Sequence, residues 1–311
     1  MLFPFSTFSL LTFKEKMAET EIEKPPHRGL KKGLYVIPTA FTAANIGMGF
    51  LAVLSCLHGF QQISINADEA ARYFNYAAIA IGLAILFDTL DGRVARMTRT
   101  STELGVQLDS LADVLTFGIA PIVLAYSWAF GATFPEQSGL HRLGLFVLFM
   151  YLMCGAFRLA RFNIQATRPR VLIEGTPKVD KKNFVGLPIP PSAGLIASIV
   201  HFAPYPLISY GESLGQFYGI LIMILMVCLG LLMVSTIRYT SFKNAGTGRR
   251  NLYIFLTIAA IGMLIWLYSK YMLLILCGAY VSHGVIWYIL GLFRSSKTVE
   301  PEIETNPPNA S

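Results

Sequence analysis

The sequence predicts an all-α integral membrane protein of about eight transmembrane helices, with both termini on the cytoplasmic side. Three observations carry this. First, 54% of the 311 residues are hydrophobic and only 14% are charged, with a mean hydropathy of +0.55. A soluble domain of this size needs more charge to cover its surface. Second, apolar runs near the length of roughly 20 residues that a span requires recur along the chain. Third, the basic residues fall almost entirely into alternate connections, as they do where positive loops stay in the cytoplasm.

Taken in order, the runs lie near 34–57, 74–92, 106–130, 143–166, 186–206, 214–236, 252–268 and 271–293. The fifth is the weakest, because it opens with three prolines and contains His201. Counting it as a span places 22 of the 25 Lys and Arg on one side and leaves Arg72, Arg142 and Lys270 on the other. That segregation requires eight spans. Connections this short leave no room for a separate soluble domain. The net charge of +7 reads as topology plus attraction to anionic headgroups. No basic soluble module is present, so nucleic-acid binding is not expected. Cys56, Cys154, Cys228 and Cys277 each fall inside a span without close pairing and read as buried free thiols.

The first residues, MLFPFSTFSLLTF, lack a preceding basic region and a small-residue cleavage site, so no signal peptide is expected. Met17 is an alternative start. The stretch 298–311, rich in Pro, Glu and Asn, is expected to be disordered.

The apolar pattern fails most sharply between the second and third spans, which read FDTLDGRVARMTRTSTELGVQLDSLADVLTFG. An aspartate at the centre of a span costs about 2.5–3.5 kcal/mol, so four unmatched ones would cost roughly 10 kcal/mol. Asp88 and Asp91 are spaced i,i+3, and Asp109 and Asp113 i,i+4, so each pair shares one helix face. Antiparallel packing of the two spans brings the pairs together. Four carboxylates without nearby histidine or cysteine form a hard oxygen cage, suited to Mg²⁺, Mn²⁺ or Ca²⁺. Enough oxygens are available for two ions. Gly92, Ala95 and Gly105 are small and leave a gap beside this cage, although glycine in a membrane helix also serves close packing. Arg96, one turn beyond Gly92, is placed to pair with a phosphate.

Asp88-x2-Asp91-Gly92-x2-Ala95-Arg96-x8-Gly105-x3-Asp109-x3-Asp113 resembles the signature of the CDP-alcohol phosphatidyltransferase family, with every fixed position present. Three further segments resemble the membrane-embedded, serine-accepting members: Arg158-Leu159-Ala160-Arg161-Phe162-Asn163, Phe184-x-Gly186-Leu187-Pro188-x-Pro190-Pro191, and Met233-Val234-Ser235 leading to Tyr239-x-Ser241-Phe242-Lys243. Thr42-x2-Asn45-x3-Gly49 resembles the family's helix-one element. Each also has a plain structural reading. The two arginines suit positive-inside anchors, the prolines a helix start, and Tyr239 to Lys243 an interfacial anchor. His201 and His283 read as packing or interfacial residues.

The resemblance divides the chain into a cytoplasmic tail (1–33), a family core (34–245), two additional C-terminal helices (246–297) and a final tail (298–311). It implies transfer of a phosphatidyl group from CDP-diacylglycerol to L-serine with release of CMP, in the cytoplasmic membrane, by a homodimer. It implies that Asp88, Asp91, Asp109 and Asp113 hold two Mg²⁺ or Mn²⁺ ions, with Asp113 also the general base. It further implies that Asn45, Gly92, Ala95, Arg96 and Gly105 contact the CDP moiety. Arg158, Arg161 and Lys182 are candidates for the acceptor's carboxylate or the lipid phosphate. A phosphorylated acceptor such as glycerol 3-phosphate or inositol phosphate is the nearer alternative. A cation transporter is the more distant one, disfavoured because the aspartate constellation occurs once rather than in two repeats.

Overall fold

The computed structural model describes residues 30–98, 103–167, 183–240, 260 and 262–295, with side chains described over 40–94, 105–164, 186–237, 260 and 262–288. Its helices are α1 (Leu30–Gln62), α2 (Ala67–Thr98), α3 (Glu103–Asp113), α4 (Ala120–Ala125), α5 (Gly139–Thr167), α6 (Ile189–Phe202), α7 (Glu212–Val234) and α8 (Ser269–Ser295). Two π-helical segments, Val114–Ile119 and Tyr126–Phe130, flank α4 and make one continuous span with α3. Among the described residues, six helical segments are long and apolar enough to cross a bilayer: Ala40–Gln62, Ala67–Val94, Gly105–Phe130, Gly139–Ile164, Glu212–Val234 and Ser269–Tyr288. The expected seventh run, 252–268, lies mostly outside the described residues. The only departure from an all-helical architecture among the described residues is a short antiparallel ribbon, β1 (Asn183–Val185) with β2 (Arg238–Thr240).

The helices form as they do because their outward faces are made for lipid. Phe50, Leu86, Phe146, Phe149, Phe157 and Leu231 are all exposed, and a soluble protein does not leave so much contiguous apolar surface in water. The inward faces are small instead. Ala52 and Cys56 of α1 and Ala70, Ala77, Ala78 and Ala84 of α2 are buried, and a Cβ at Gly59 would lie 2.9 Å from the Phe74 ring. Close helix approach is what drives association where the solvent is as apolar as the side chains. The turn between α1 and α2 is held by Asn66, whose Oδ1 accepts from the backbone N–H of Asp68 (3.0 Å) and Glu69 (3.3 Å). That is an N-cap, followed by two acids in the first turn of α2.

The fifth apolar run is a 14-residue helix, shorter than a span. Protein rather than lipid surrounds it: Ile189, Ser192, Ala193 and Val200 are all essentially inaccessible. Its entry explains the sequence GLPIPP. Gly186 has φ +82°, and its N–H donates to Ile237 O (2.8 Å), while Leu187 N–H donates to Leu232 O (3.0 Å). Pro188 is the N-cap, and proline in the first turn loses no helix bond. The GLPIPP and Met233-Val234-Ser235 segments are thus one junction joining α6 to the end of α7. A Cβ at Gly186 would meet Met233 O at 2.5 Å. Gly186→Ala therefore combines a left-handed backbone with a clash against main chain, at a cost of at least about 2 kcal/mol. In detergent it is expected to lower the thermal midpoint by roughly 5 °C or more, measurable by intrinsic fluorescence.

The π turn after Asp113 has a visible cause nearby. Pro121 has no N–H for the carbonyl of Phe117, one turn earlier. The Tyr151 hydroxyl takes up that carbonyl at 3.5 Å and also lies 3.0 Å from Ser192 Oγ. At the opposite end of the span, Trp128 Nε1 donates to Ala203 O (3.1 Å) and Tyr205 O (2.8 Å), satisfying carbonyls just past the end of α6.

Candidate functional site

The four aspartates lie where the end of α2 and the helix α3 face each other, with α1 packed against both. Carboxylate oxygens of Asp88, Asp109 and Asp113 come within 4.8 Å of one another. The helical spacing delivers each pair to one face, and the packing of both helices on α1 turns the two faces towards each other. Asp91 is placed differently from its three neighbours. It is buried, and its Oδ2 accepts a short hydrogen bond from Thr42 Oγ1 of α1. It still lies close enough to Asp88 and Asp109 for their charges to repel.

The α1 segment Thr42-x2-Asn45-x3-Gly49 supports this end of the site along one helix face. Thr42 holds Asp91. The Asn45 carbonyl accepts from Thr116 Oγ1 at 3.2 Å, in the π turn just beyond Asp113. Gly49 allows that approach, since a Cβ there would lie 2.5 Å from Thr116 Oγ1 and 3.0 Å from its Cα. The Asn45 amide is 1% exposed, and neither its Nδ2 nor its Oδ1 has a hydrogen-bond partner. Leaving such a group unsatisfied costs about 1–3 kcal/mol, which marks it as a place for a polar ligand.

The opposing wall is the end of α5. Arg158 is half-buried and attracts Asp113, yet Asp113 Oδ1 and Arg158 Nε are both buried without a hydrogen-bond partner. The guanidinium lies over the Phe162 ring, 5.9 Å from its centroid. One turn on, Asn163 Nδ2 donates to Ser110 Oγ at 2.9 Å, pinning α5 to α3 between the two aspartates of that helix. Arg161 is exposed. Gly92 and Gly105 are exposed at the rim. Ala95 and Arg96 continue α2, but their side chains lie outside the described residues, as does Lys182.

Two features of this site were not readable from spacing. Thr42 as the partner of Asp91 depends on how α1 is rotated against α2. The meeting of Arg158 with Asp113 depends on a contact between helices about 45 residues apart in the chain. The only sequence signal for Thr42 was its place one turn before Asn45.

The donors fit a divalent cation. They are hard carboxylate oxygens gathered from two helices, without thiolate or imidazole among the described residues within reach, and one of them is a buried oxygen with no partner. A helical membrane protein with paired acids at the mouth of one helix pair is a recognisable class. The chain belongs to the CDP-alcohol phosphatidyltransferase family, whose model matches residues 35–231. Members of that family generally depend on divalent metals. Among its relatives is the CDP-diacylglycerol–serine O-phosphatidyltransferase of Helicobacter pylori strain J99, 32% identical over 257 residues, spanning 82% of this chain and 92% of the relative. The protein of that name from Methanocaldococcus jannaschii is 34% identical over 245 residues, 78% of this chain and 94% of the relative. That from Bacillus subtilis is 31% identical over 220 residues, 69% of this chain and 98% of the relative.

Proposed function

We propose that this protein is a phosphatidylserine synthase, which transfers the phosphatidyl group of CDP-diacylglycerol to L-serine and releases CMP. The observation that carries the proposal is the match to serine-transferring relatives along most of both chains. The site's chemistry is consistent with it. Asp88, Asp91, Asp109 and Asp113 would hold two Mg²⁺ or Mn²⁺ ions, which when bound neutralise charge on the diphosphate and on the departing CMP.

In this reading the chain's own groups act as follows. Asp113 takes the proton from the serine hydroxyl as its oxygen attacks the phosphorus that bears diacylglycerol. The new P–O bond forms as the bond from that phosphorus to the bridging oxygen breaks. CMP leaves with the electron pair. A buried carboxylate oxygen without another partner is available for that proton. Asn45 offers its unsatisfied amide to the CDP moiety, with Gly92, Ala95 and Gly105 leaving room and Arg96 beside the phosphates. Thr42 fixes Asp91. Arg158 faces Asp113 from α5 and receives the serine carboxylate, with Arg161 and Lys182 as further candidates for that carboxylate or the lipid phosphate.

The family core runs over 34–245 and the two further helices over 246–297. Eight crossings, the fifth made by the short, protein-wrapped α6, with both termini and the site on the cytoplasmic face of the cell's inner membrane and a homodimer as the working unit, complete the proposal. The test is CMP release by the purified protein with CDP-diacylglycerol and Mg²⁺ or Mn²⁺, with and without L-serine. Serine-dependent release supports the assignment. Release driven only by glycerol 3-phosphate or inositol phosphate would keep the family and overturn the acceptor.

A further inference from the structure

Helix α8 lies beyond the part of the chain that the family model matches. Most of its surface faces lipid: Ile275, Ile286, Trp287 and Tyr288 are exposed. Its inward stripe is Leu274, Cys277, Tyr280 and Val281, packed on the core. Tyr280 is unusual in that stripe, because tyrosine on a membrane helix ordinarily sits at the water interface where its hydroxyl is wet. A hydroxyl turned inward at bilayer depth needs a polar neighbour.

The packing of α8 on α6 says where that hydroxyl sits. His201 Nε2 lies 3.0 Å from Ser269 Oγ at one end of the contact. Further along, a Cβ at Gly194 would lie 3.5 Å from Cys277 Sγ. The two helices are therefore antiparallel, and each residue moves about 1.5 Å along the shared axis, in opposite directions on the two helices. Tyr280 is then about 16 Å from the Ser269 level, and Ile189 about 18 Å from the His201 level, so the two are nearly abreast. Ile189 in turn rests on α5, where a Cβ at Gly155 would meet its Cδ1 at 2.9 Å. Arg158 is three residues further along α5, one turn towards the aspartates. Tyr280 and Arg158 are close enough to interact electrostatically.

We infer that Tyr280 of α8 is a positioning residue for Arg158, holding its guanidinium towards Asp113, so that the C-terminal helix completes the acceptor side of the site. Arg158 Nε and Asp113 Oδ1 are both buried without a hydrogen-bond partner, so the carboxylate does not hold the guanidinium through that edge. A phenol oxygen can accept from a guanidinium N–H without neutralising its charge. The cation stays available for an anionic group on the incoming alcohol. Phe162 constrains the guanidinium from its own helix, and Tyr280 constrains it from across the bundle. The inference rests on Arg158 receiving the acceptor, as proposed above.

The experiment compares Tyr280→Phe, Arg158→Gln, the double variant and Tyr288→Phe in full-length protein, with KM for serine and for CDP-diacylglycerol determined separately. Tyr280→Phe is expected to raise the serine KM about five- to tenfold, with the CDP-diacylglycerol KM, kcat and thermal midpoint nearly unchanged. Arg158→Gln is expected to raise the serine KM at least as far, and the double variant no further, because the tyrosine acts through the arginine. Tyr288→Phe, on the lipid face, should match wild type. A serine KM raised by Arg158→Gln but untouched by Tyr280→Phe overturns the inference and leaves the acceptor role of Arg158 standing. A serine KM untouched by Arg158→Gln removes that role, and the inference with it. Equal losses in both KM values together with a lowered midpoint would make Tyr280 a packing residue only.

Discussion

Asp113→Asn is expected to reduce CMP release by about a thousandfold or more while leaving the protein folded and able to bind CDP-diacylglycerol. The substitution keeps the shape of the side chain and removes its capacity to accept a proton, which in general base catalysis is worth about 10²–10⁴ in rate. It also takes one donor from the carboxylate cluster, which adds to the loss. Asp113 stands apart from its neighbours in two respects. One of its oxygens is buried and without a partner, and Arg158 attracts it from α5. Asp91, by contrast, already accepts a hydrogen bond from Thr42. The same change at Asp91 should therefore weaken the site through its packing against α1 as much as through its charge. The check is kcat for CMP release together with the KM for CDP-diacylglycerol. A variant that keeps a tenth of wild-type kcat would remove Asp113 from the proton-transfer role.

What could be read from the chain divides along a physical line. Features set by spacing within one helix were legible. The i,i+3 and i,i+4 aspartates each share a helix face because helical geometry leaves them no alternative, and long apolar runs become spans because the bilayer sets their length. That Asp91 turns to Thr42 while Asp88 joins Asp109 and Asp113 was not fixed by spacing. Features set by contact between helices were not. The fifth run was the weakest expectation because of its three opening prolines and His201, both awkward in lipid, whereas α6 is wrapped by protein. Its prolines, awkward for a span, suit a first turn entered through the positive φ of Gly186. The π turns around α4 left only Pro121 as a trace. Arg158 and Arg161 look alike in RLARFN, yet one is drawn inside against Asp113 and the other stays exposed. Three residues of helix separate them, close to a full turn, so the direction of each side chain and its neighbours decide the difference.

Asp88→Asn combined with Asp109→Asn is expected to abolish CMP release and, without added metal, to make the protein more stable rather than less. Oxygens of Asp88, Asp109 and Asp113 lie within 4.8 Å of one another, and two unit charges at that separation repel by about 3 kcal/mol at an effective dielectric constant near 20. A cation relieves that repulsion, so wild-type protein should gain thermal stability as Mg²⁺ or Mn²⁺ is added, following the binding isotherm. The double variant has two of the three charges removed. It should melt several degrees above metal-free wild type in the presence of chelator, and its midpoint should no longer respond to metal. Thermal unfolding in detergent with chelator, Mg²⁺ and Mn²⁺ in parallel measures both effects without reference to turnover. An unchanged metal-dependent shift in the double variant would move the principal ion site away from these carboxylates. A lower midpoint in chelator would mean that they are held by neighbouring donors and do not stand as mutually repelling charges. Raised stability together with lost activity has a physical source here: the charge that strains the metal-free fold is the charge that binds the ion.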